Sequence, residues 1–373
     1  MGGFLDASSA GGAIADGSAT DVASDVVGGE RDPSTDAGTR SFVYVSGYAA
    51  PITVLSLNTA TGALTPASMA DTGMGGEPTS LAFSPDKRVV YAGDEQKDLP
   101  ASRVIAFAIN AATGALSEIN RQDTGGTTLA HVGVHPSGKW VLAANYGTGN
   151  VTVFPVRPDG GLGAAMPRVP AGGQSHFIVF DRAGGFLFVP CIVSRYVAQF
   201  RFADGVLTPN SPPSVPINGG PRHMALSPDE RFAYVLTQSE STIDSFTLDK
   251  TTGLLTHLET VNSTPSPTLG AHIAVHPSGK FLYASNRADS SISMFSIDQT
   301  TGRLTRLGYQ RDMINYPWWF AMDPAGQLMM VASDRSATVL AHRLDPATGL
   351  LQRLGMPVAV PMRPTFVGIL SLP

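Results

Sequence analysis

The side chains best suited to acid–base or ligand chemistry recur in two sets. His131, His176, Arg222 with His223, His272, and Trp318 with Trp319 form the first; Glu95, Asn145 with Tyr146, Cys191, Gln238, Asn286 with Arg287, and Asp334 form the second. Histidines at a repeated position have a plain use, bonding one structural unit to the next, and a chemical one, holding an ion such as zinc. With no HExxH, no CxxC and no short His-x-His pair, neither a metal nor another cofactor is expected. Cys191 with His176 as base would make a thiol nucleophile, but no surrounding pattern activates it, and a buried thiol at a strand end is the expectation. No G-x-S-x-G elbow presents a serine. The glycine-rich run ANYGTGNV at 144–151 lacks the following helix that a phosphate cradle requires. His135 and His276 lie inside HPSGK turns, where a place on the turn surface is expected.

The elements that must position these residues follow from a repeat. A turn of the form TG-x-L or DG-x-L places its glycine at Gly62, Gly114, Gly160, Gly205, Gly253, Gly302 and Gly349, at intervals of 45 to 52 residues. That is the spacing of propeller blades. A second turn signature precedes most of them: SPDKR at 84–88, HPSGK at 135–139, the degenerate, proline-free DRAGG at 181–185, SPDER at 227–231, HPSGK at 276–280 and DPAGQ at 323–327. Proline presets one dihedral and Asp or Gly closes the turn, so each instance joins two strands. One repeat reads as four strands over 271–275, 281–285, 291–297 and 303–309. The first blade has strands at 41–46, 51–57 and 63–69 but no inner strand, whereas PTFVGIL at 364–370 is an inner strand with no blade after it. The expectation is an all-β, seven-bladed β-propeller over 41–373, closed by pairing the C-terminal strand with the first blade so that no edge stays open. The two recurrent sets then fall at inner-strand starts and just after second strands, around a central channel.

Composition agrees with many short strands: the chain of 373 residues has 40 Gly and 28 Pro, and only 15% of it is charged. The formal charge of -5 resides entirely in residues 1–40, which hold seven acids and two arginines; the remainder balances 23 acids against 23 Lys and Arg. No basic stripe suggests nucleic-acid binding, and no run is long enough to span a membrane. The Gly-, Ala-, Ser- and Asp-rich segment 1–40 lacks the apolar groups that repay ordering and is expected to be a disordered acidic leader. Such leaders suit a periplasmic or envelope-tethered domain, with a cytoplasmic one as the alternative. A self-contained ring is expected to be a monomer.

Three segments carry a family resemblance: ANYGTGNVTVFPV at 144–156, GGPRHMALSPDERFAYV at 219–235 and HPSGKFLYASNRADSSISMFSID at 276–298. Together they make the chain, over roughly 41–370, similar to the seven-bladed lactonases, which include bacterial 6-phosphogluconolactonases and fungal carboxymuconate lactonizing enzymes. The resemblance implies a site for anionic lactones in the channel mouth. His176 matches the last residue of the family's His-Pro-His element, whose first is Gln174 here. Arg222 matches the arginine of Gly-Pro-Arg-His and Arg287 that of Ser-Asn-Arg; arginines there would clamp a carboxylate or phosphate. The departures are Gln238 for a glutamate, with Glu240 two residues on, His272 and Ala274 for the Glu and His of Ala-Glu-Ile-His, Trp318 for the arginine of a Pro-Arg pair, and Cys191 for an aspartate. Gln238 cannot act as a base, which leaves His176, His272 or Glu95.

The leading expectation is a hydrolase in which His176 or His272 activates water and Arg222 and Arg287 hold a small anionic lactone and stabilise its carbonyl oxygen. His131, Asn145, Tyr146, His223, Gln238, Glu95 and Trp318 are expected to contact the substrate. The alternatives are a lactonizing or cycloisomerizing enzyme, and a non-catalytic envelope propeller binding a ligand or protein. Convergence of His176, Arg222, Arg287 and a further base on one open pocket favours catalysis.

Overall fold

The computed structural model describes residues 39–48, 51–73, 76–95, 100–361 and 363–373. The expected leader falls almost wholly outside them, and the first strand takes in Arg40. The described residues from Thr39 onward form one unit of seven four-stranded antiparallel sheets. Blade 1 is closed by the last strand, Arg363–Leu372, which pairs with Arg40–Tyr48 in register from Arg40↔Leu372 to Val45↔Val367. The expected sixth blade is Gly270–Val275, Phe281–Asn286, Ser291–Ile297 and Leu304–Gln310. No strand or turn of the repeat is misplaced there by more than a residue or so.

Second strands are buried along both faces, as in Val89–Asp94 and Phe281–Asn286, because each blade is sandwiched between two others. The blades are also tied by a repeated bond that the turn glycines make possible. The Tyr44, Tyr91, Tyr234 and Tyr283 hydroxyls donate to the carbonyls of Gly114, Gly160, Gly302 and Gly349 on the following blade, at 2.9, 2.8, 3.1 and 2.9 Å. At Gly302 the backbone is left-handed (φ +73°), and an added Cβ would lie 2.3 Å from the Phe232 ring, so both conformation and space require glycine.

His135 and His276 are not turn surface. Each is at least nine-tenths buried, with Nδ1 bonded to Ser137 or Ser278 of its own turn and Nε2 reaching the carbonyl of Gly184 or Gly326 on the next blade, 3.0 and 2.8 Å away. An imidazole has two separated nitrogens, and here one shapes a turn while the other straps neighbouring sheets.

Candidate active site

The inner strands begin with a shared irregularity that builds the site. Their pairing skips one residue between Pro364 and Phe366, Pro78 and Ser80, Leu129 and His131, Pro221 and His223, and Pro317 and Trp319. A bulge re-aims the side chain it skips, and the skipped residues Thr365, Thr79, Ala130, Arg222 and Trp318 all line one cavity of about 330 Å3. In blade 4 the inner strand is only Val179–Phe180. There His176 follows an isolated bridge between Ser175 and Cys191 and reaches the same cavity. The chain enters several of these strands through left-handed residues, Thr128, Gln174, Leu269 and Tyr316 at φ 53 to 63°, the kind of strain that gathers at functional sites.

A second ring stands above the first. Tyr48, Glu95, Tyr146, Gln238 and Arg287, each just past the end of a second strand or at it, complete the wall. At the next residue of most inner strands an aromatic ring joins a stopper: His131 on Phe177 (ring centroids 3.9 Å apart), Phe177 on His223 (4.3 Å), His272 on Trp319 (3.9 Å) and Trp319 against Phe366 (4.9 Å). His223 and Trp319 form the cavity floor.

Of the expected site residues, His176, Arg222, Arg287, Tyr146, His223, Gln238, Glu95 and Trp318 converge on the cavity. His272, His131 and Asn145 do not line it. His272 lies in the stopper, one residue beyond the wall position, and His131 accepts the Ile178 amide there at 3.2 Å. Asn145 precedes the wall residue Tyr146 and so points into its blade, donating to Asn150 and Thr152. Tyr48, Thr79, Thr128, Ala130, Trp319 and Thr365 line the cavity as well, beyond the expected substrate contacts. Repeat equivalence is the signal that finds Tyr48, which occupies in blade 1 the place of Glu95, Tyr146, Gln238 and Arg287.

The wall is rich in hydrogen-bond donors. Arg222 and Arg287 lie 5.6 and 4.6 Å from the Trp318 ring, within cation–π range. Among the described residues neither pairs with a carboxylate: Arg222 Nε donates to Gln238 Oε1 at 3.1 Å, and Arg287 Nε to the Leu269 carbonyl at 3.3 Å. Burial, then Arg287, presses Arg222 well below the usual guanidinium range, so an arriving anion would relieve a real electrostatic penalty. Glu95 is hydrogen-bonded to the Tyr48 hydroxyl, whose pKa is raised chiefly by burial. Glu240 stays off the wall, held by the Gly220 amide and by Arg195.

His176 differs from the other histidines around the cavity and its stopper. Its ring makes no hydrogen bond to the described residues, and its Nδ1 is buried without a partner. Burial first, then Arg222 and Arg287, hold its pKa well below the ordinary imidazole range, so the ring is a neutral base at neutral pH. Cys191 is a different case: burial raises its thiol to about 11, and its Sγ faces Ser175 and the Ala171 carbonyl, so it is no nucleophile. Among the described residues no cluster of three or more His, Cys, Asp or Glu could hold a metal, and no helix is long and apolar enough to cross a membrane.

A closed ring of seven sheets with a donor-lined cavity on its axis defines the class: a β-propeller that carries its site at one channel mouth. The chain belongs to the family described as Lactonase, 7-bladed beta-propeller, whose profile matches residues 42–368. It is 27% identical over 200 residues to a 6-phosphogluconolactonase of Bacillus subtilis (strain 168), covering 51% of this chain and 57% of that protein. A 6-phosphogluconolactonase of Cronobacter sakazakii (strain ATCC BAA-894) is 30% identical over 195 residues, 51% of this chain and 56% of its own length. The chain thus aligns with little more than half the length of these curated relatives. Among solved structures, a proposed 6-phosphogluconolactonase of Bacteroides fragilis superposes with a TM-score of 0.82 at 27% identity, covering 92% of this chain and 100% of that one. The periplasmic gluconolactonase of Pseudomonas aeruginosa shares the fold, with a TM-score of 0.82 at 24% identity over 90% of this chain and 100% of that one.

Proposed function

We propose that this protein is a monomeric hydrolase that opens a small lactone bearing an anionic group, at the cavity on the propeller axis. The carrying observation is the meeting, on one cavity, of two guanidinium groups that pair with no carboxylate among the described residues and one imidazole whose buried Nδ1 has no partner among them. The 6-phosphogluconolactonases among its relatives support the same substrate class.

In this reading Arg222 and Arg287 take the anionic group and the carbonyl oxygen between them, against the face of Trp318. His176 removes a proton from water as the water oxygen bonds to the carbonyl carbon. The tetrahedral oxyanion then collapses, the ring C–O bond breaks, and the departing alkoxide takes the proton back from His176. The hydroxy acid ionises, releasing one proton per turnover. His272 does not line the cavity and so does not contact that water, and Glu95 is the remaining wall base.

Proton release measured on mixing the protein with phosphorylated and carboxylated lactones tests the reading. Turnover that falls about 100-fold in Arg287→Ala, the usual scale for losing a transition-state donor, supports it. A folded protein that releases no protons above background from any of these lactones overturns it.

A further inference from the structure

The stopper beneath the cavity contains a hydrogen-bond chain whose direction can be worked out. Arg222 Nη1 lies 3.0 Å from His223 Nε2, and a guanidinium has only donors, so His223 accepts at Nε2. A neutral His223 therefore carries its proton on Nδ1, and that atom faces His272 Nδ1 at 2.9 Å. His272 must accept there, which places its own proton on Nε2. Both rings are more than nine-tenths buried, packed among Phe177, Trp319, Phe320 and His176, and among the described residues no carboxylate stands by to support a positive charge.

The same arginine is fastened at two further points. Its Nε donates to Gln238 Oε1, and the second Nη1 hydrogen goes to the Ala271 carbonyl on the next blade. Gln238, His223 and Ala271 thus use every hydrogen on Nε and Nη1, and only Nη2 is left to face the cavity.

We propose that His223 and His272 are positioning residues: as a neutral, one-way hydrogen-bonded pair they hold Arg222 so that it offers Nη2 alone to the ligand's anionic group. This rests on the reading that Arg222 binds that group. It gives both histidines work distinct from proton transfer. If His223 took the opposite tautomer, its Nε2–H would meet Nη1–H, and the fork would have to turn away. His272 prevents this by offering an acceptor at Nδ1.

Imidazole 15N–1H correlation spectra of the full chain, with inorganic phosphate as the anion probe, test the proposal. Two variants separate the acceptor from the packing. His272→Asn keeps an acceptor near the Nδ1 position, while His272→Phe keeps the stack on Trp319 but offers none. The expected result is a wild-type His223 protonated on Nδ1 and bare at Nε2, with phosphate binding weakened about tenfold in His272→Phe, the scale of one unsatisfied buried group. In His272→Asn it should stay within about threefold of wild type. An Nε2-protonated His223, equal phosphate affinity in the two variants, or a wild type that binds no phosphate overturns it. If His272→Phe fails to fold, the wild-type tautomer and the His272→Asn affinity decide. A wild type that shows the tautomer and the phosphate binding but turns over no lactone sinks the hydrolase reading and leaves the clamp standing.

Discussion

His176 and Gln238 carry the sharpest consequences for chemistry. A base acts only while deprotonated, and burial together with two guanidinium groups holds His176 well below the usual imidazole pKa near 6.5. Its proton-accepting form is therefore retained as the pH falls through 6.5, and kcat/KM should stay level there, with its acid limb displaced to lower pH. A limb at 6.5 would show that some ordinary histidine is the base. Gln238 sets the charge of the wall, because its Oε1 accepts from Arg222 without neutralising it. Gln238→Glu would place a carboxylate in that bond and compete with the ligand's anion. KM for an anionic lactone should rise about tenfold, as expected for one added like charge close to the bound group in a partly desolvated site. An unchanged KM would mean that the anion binds elsewhere. At this scale the sequence was readable in type but not in depth. His131, His223 and His272 share a repeat position with one another, and His176 shares one with Arg222 and Trp318. A shift of one residue decides which set makes the wall and which the stopper beneath it, and single-residue register cannot be read from hydrophobic pattern alone.

The strands and turns were legible because each is written several times over. The TG-x-L or DG-x-L turn alone recurs with its glycine at seven positions from Gly62 to Gly349, and a feature repeated in that way announces itself. The hydrogen bonds of His135 and His276 were not legible, since an HPSG turn looks polar whether or not a neighbouring sheet covers it. Two tests belong to these elements. Tyr283→Phe removes the hydroxyl bonded to the Gly349 carbonyl and should cost about 1 kcal/mol in denaturant unfolding; no loss would show that water replaces the bond at no cost. His342, on the strand Thr338–Leu344, is wholly buried, with neither ring nitrogen bonded among the described residues. Burial lowers its pKa to about 4, below the value near 6.5 of an unfolded chain. Between those values the unfolded state binds more protons, so stability is full above 6.5 and drains as the pH falls toward 4. The His342 share of that loss is about 3 kcal/mol over the window. His342→Leu should flatten the pH dependence of the melting temperature between pH 7 and 4.5, and an unaltered slope would assign the proton uptake to other groups.

Closure is a property of the whole ring, and the last strand does more than complete a sheet. Arg363–Leu372 supplies Thr365 to the cavity wall and Phe366 to the stopper, where it packs 4.9 Å from Trp319. At its start Arg363 forms a two-point pair, 2.9 and 3.1 Å, with Asp334 of blade 7, whose carboxylate is fully buried. The strand therefore joins blade 7, blade 1 and the axis at once. Removing residues 363–373 would expose the edge of Arg40–Tyr48, leave the Asp334 carboxylate buried without its partner, and open the stopper from one side. Each of these penalises the folded state, and because every blade is wedged between two others the damage cannot stay local. The truncated chain should lose the single cooperative melt of the parent and bind a hydrophobic dye. Adding the excised segment as a peptide should restore part of the transition, since it would pair with the same open edge. A truncated chain that melts at the parent's temperature would show that seven blades hold their ring without this strand. The axial site would then have to be explained without Thr365 and Phe366.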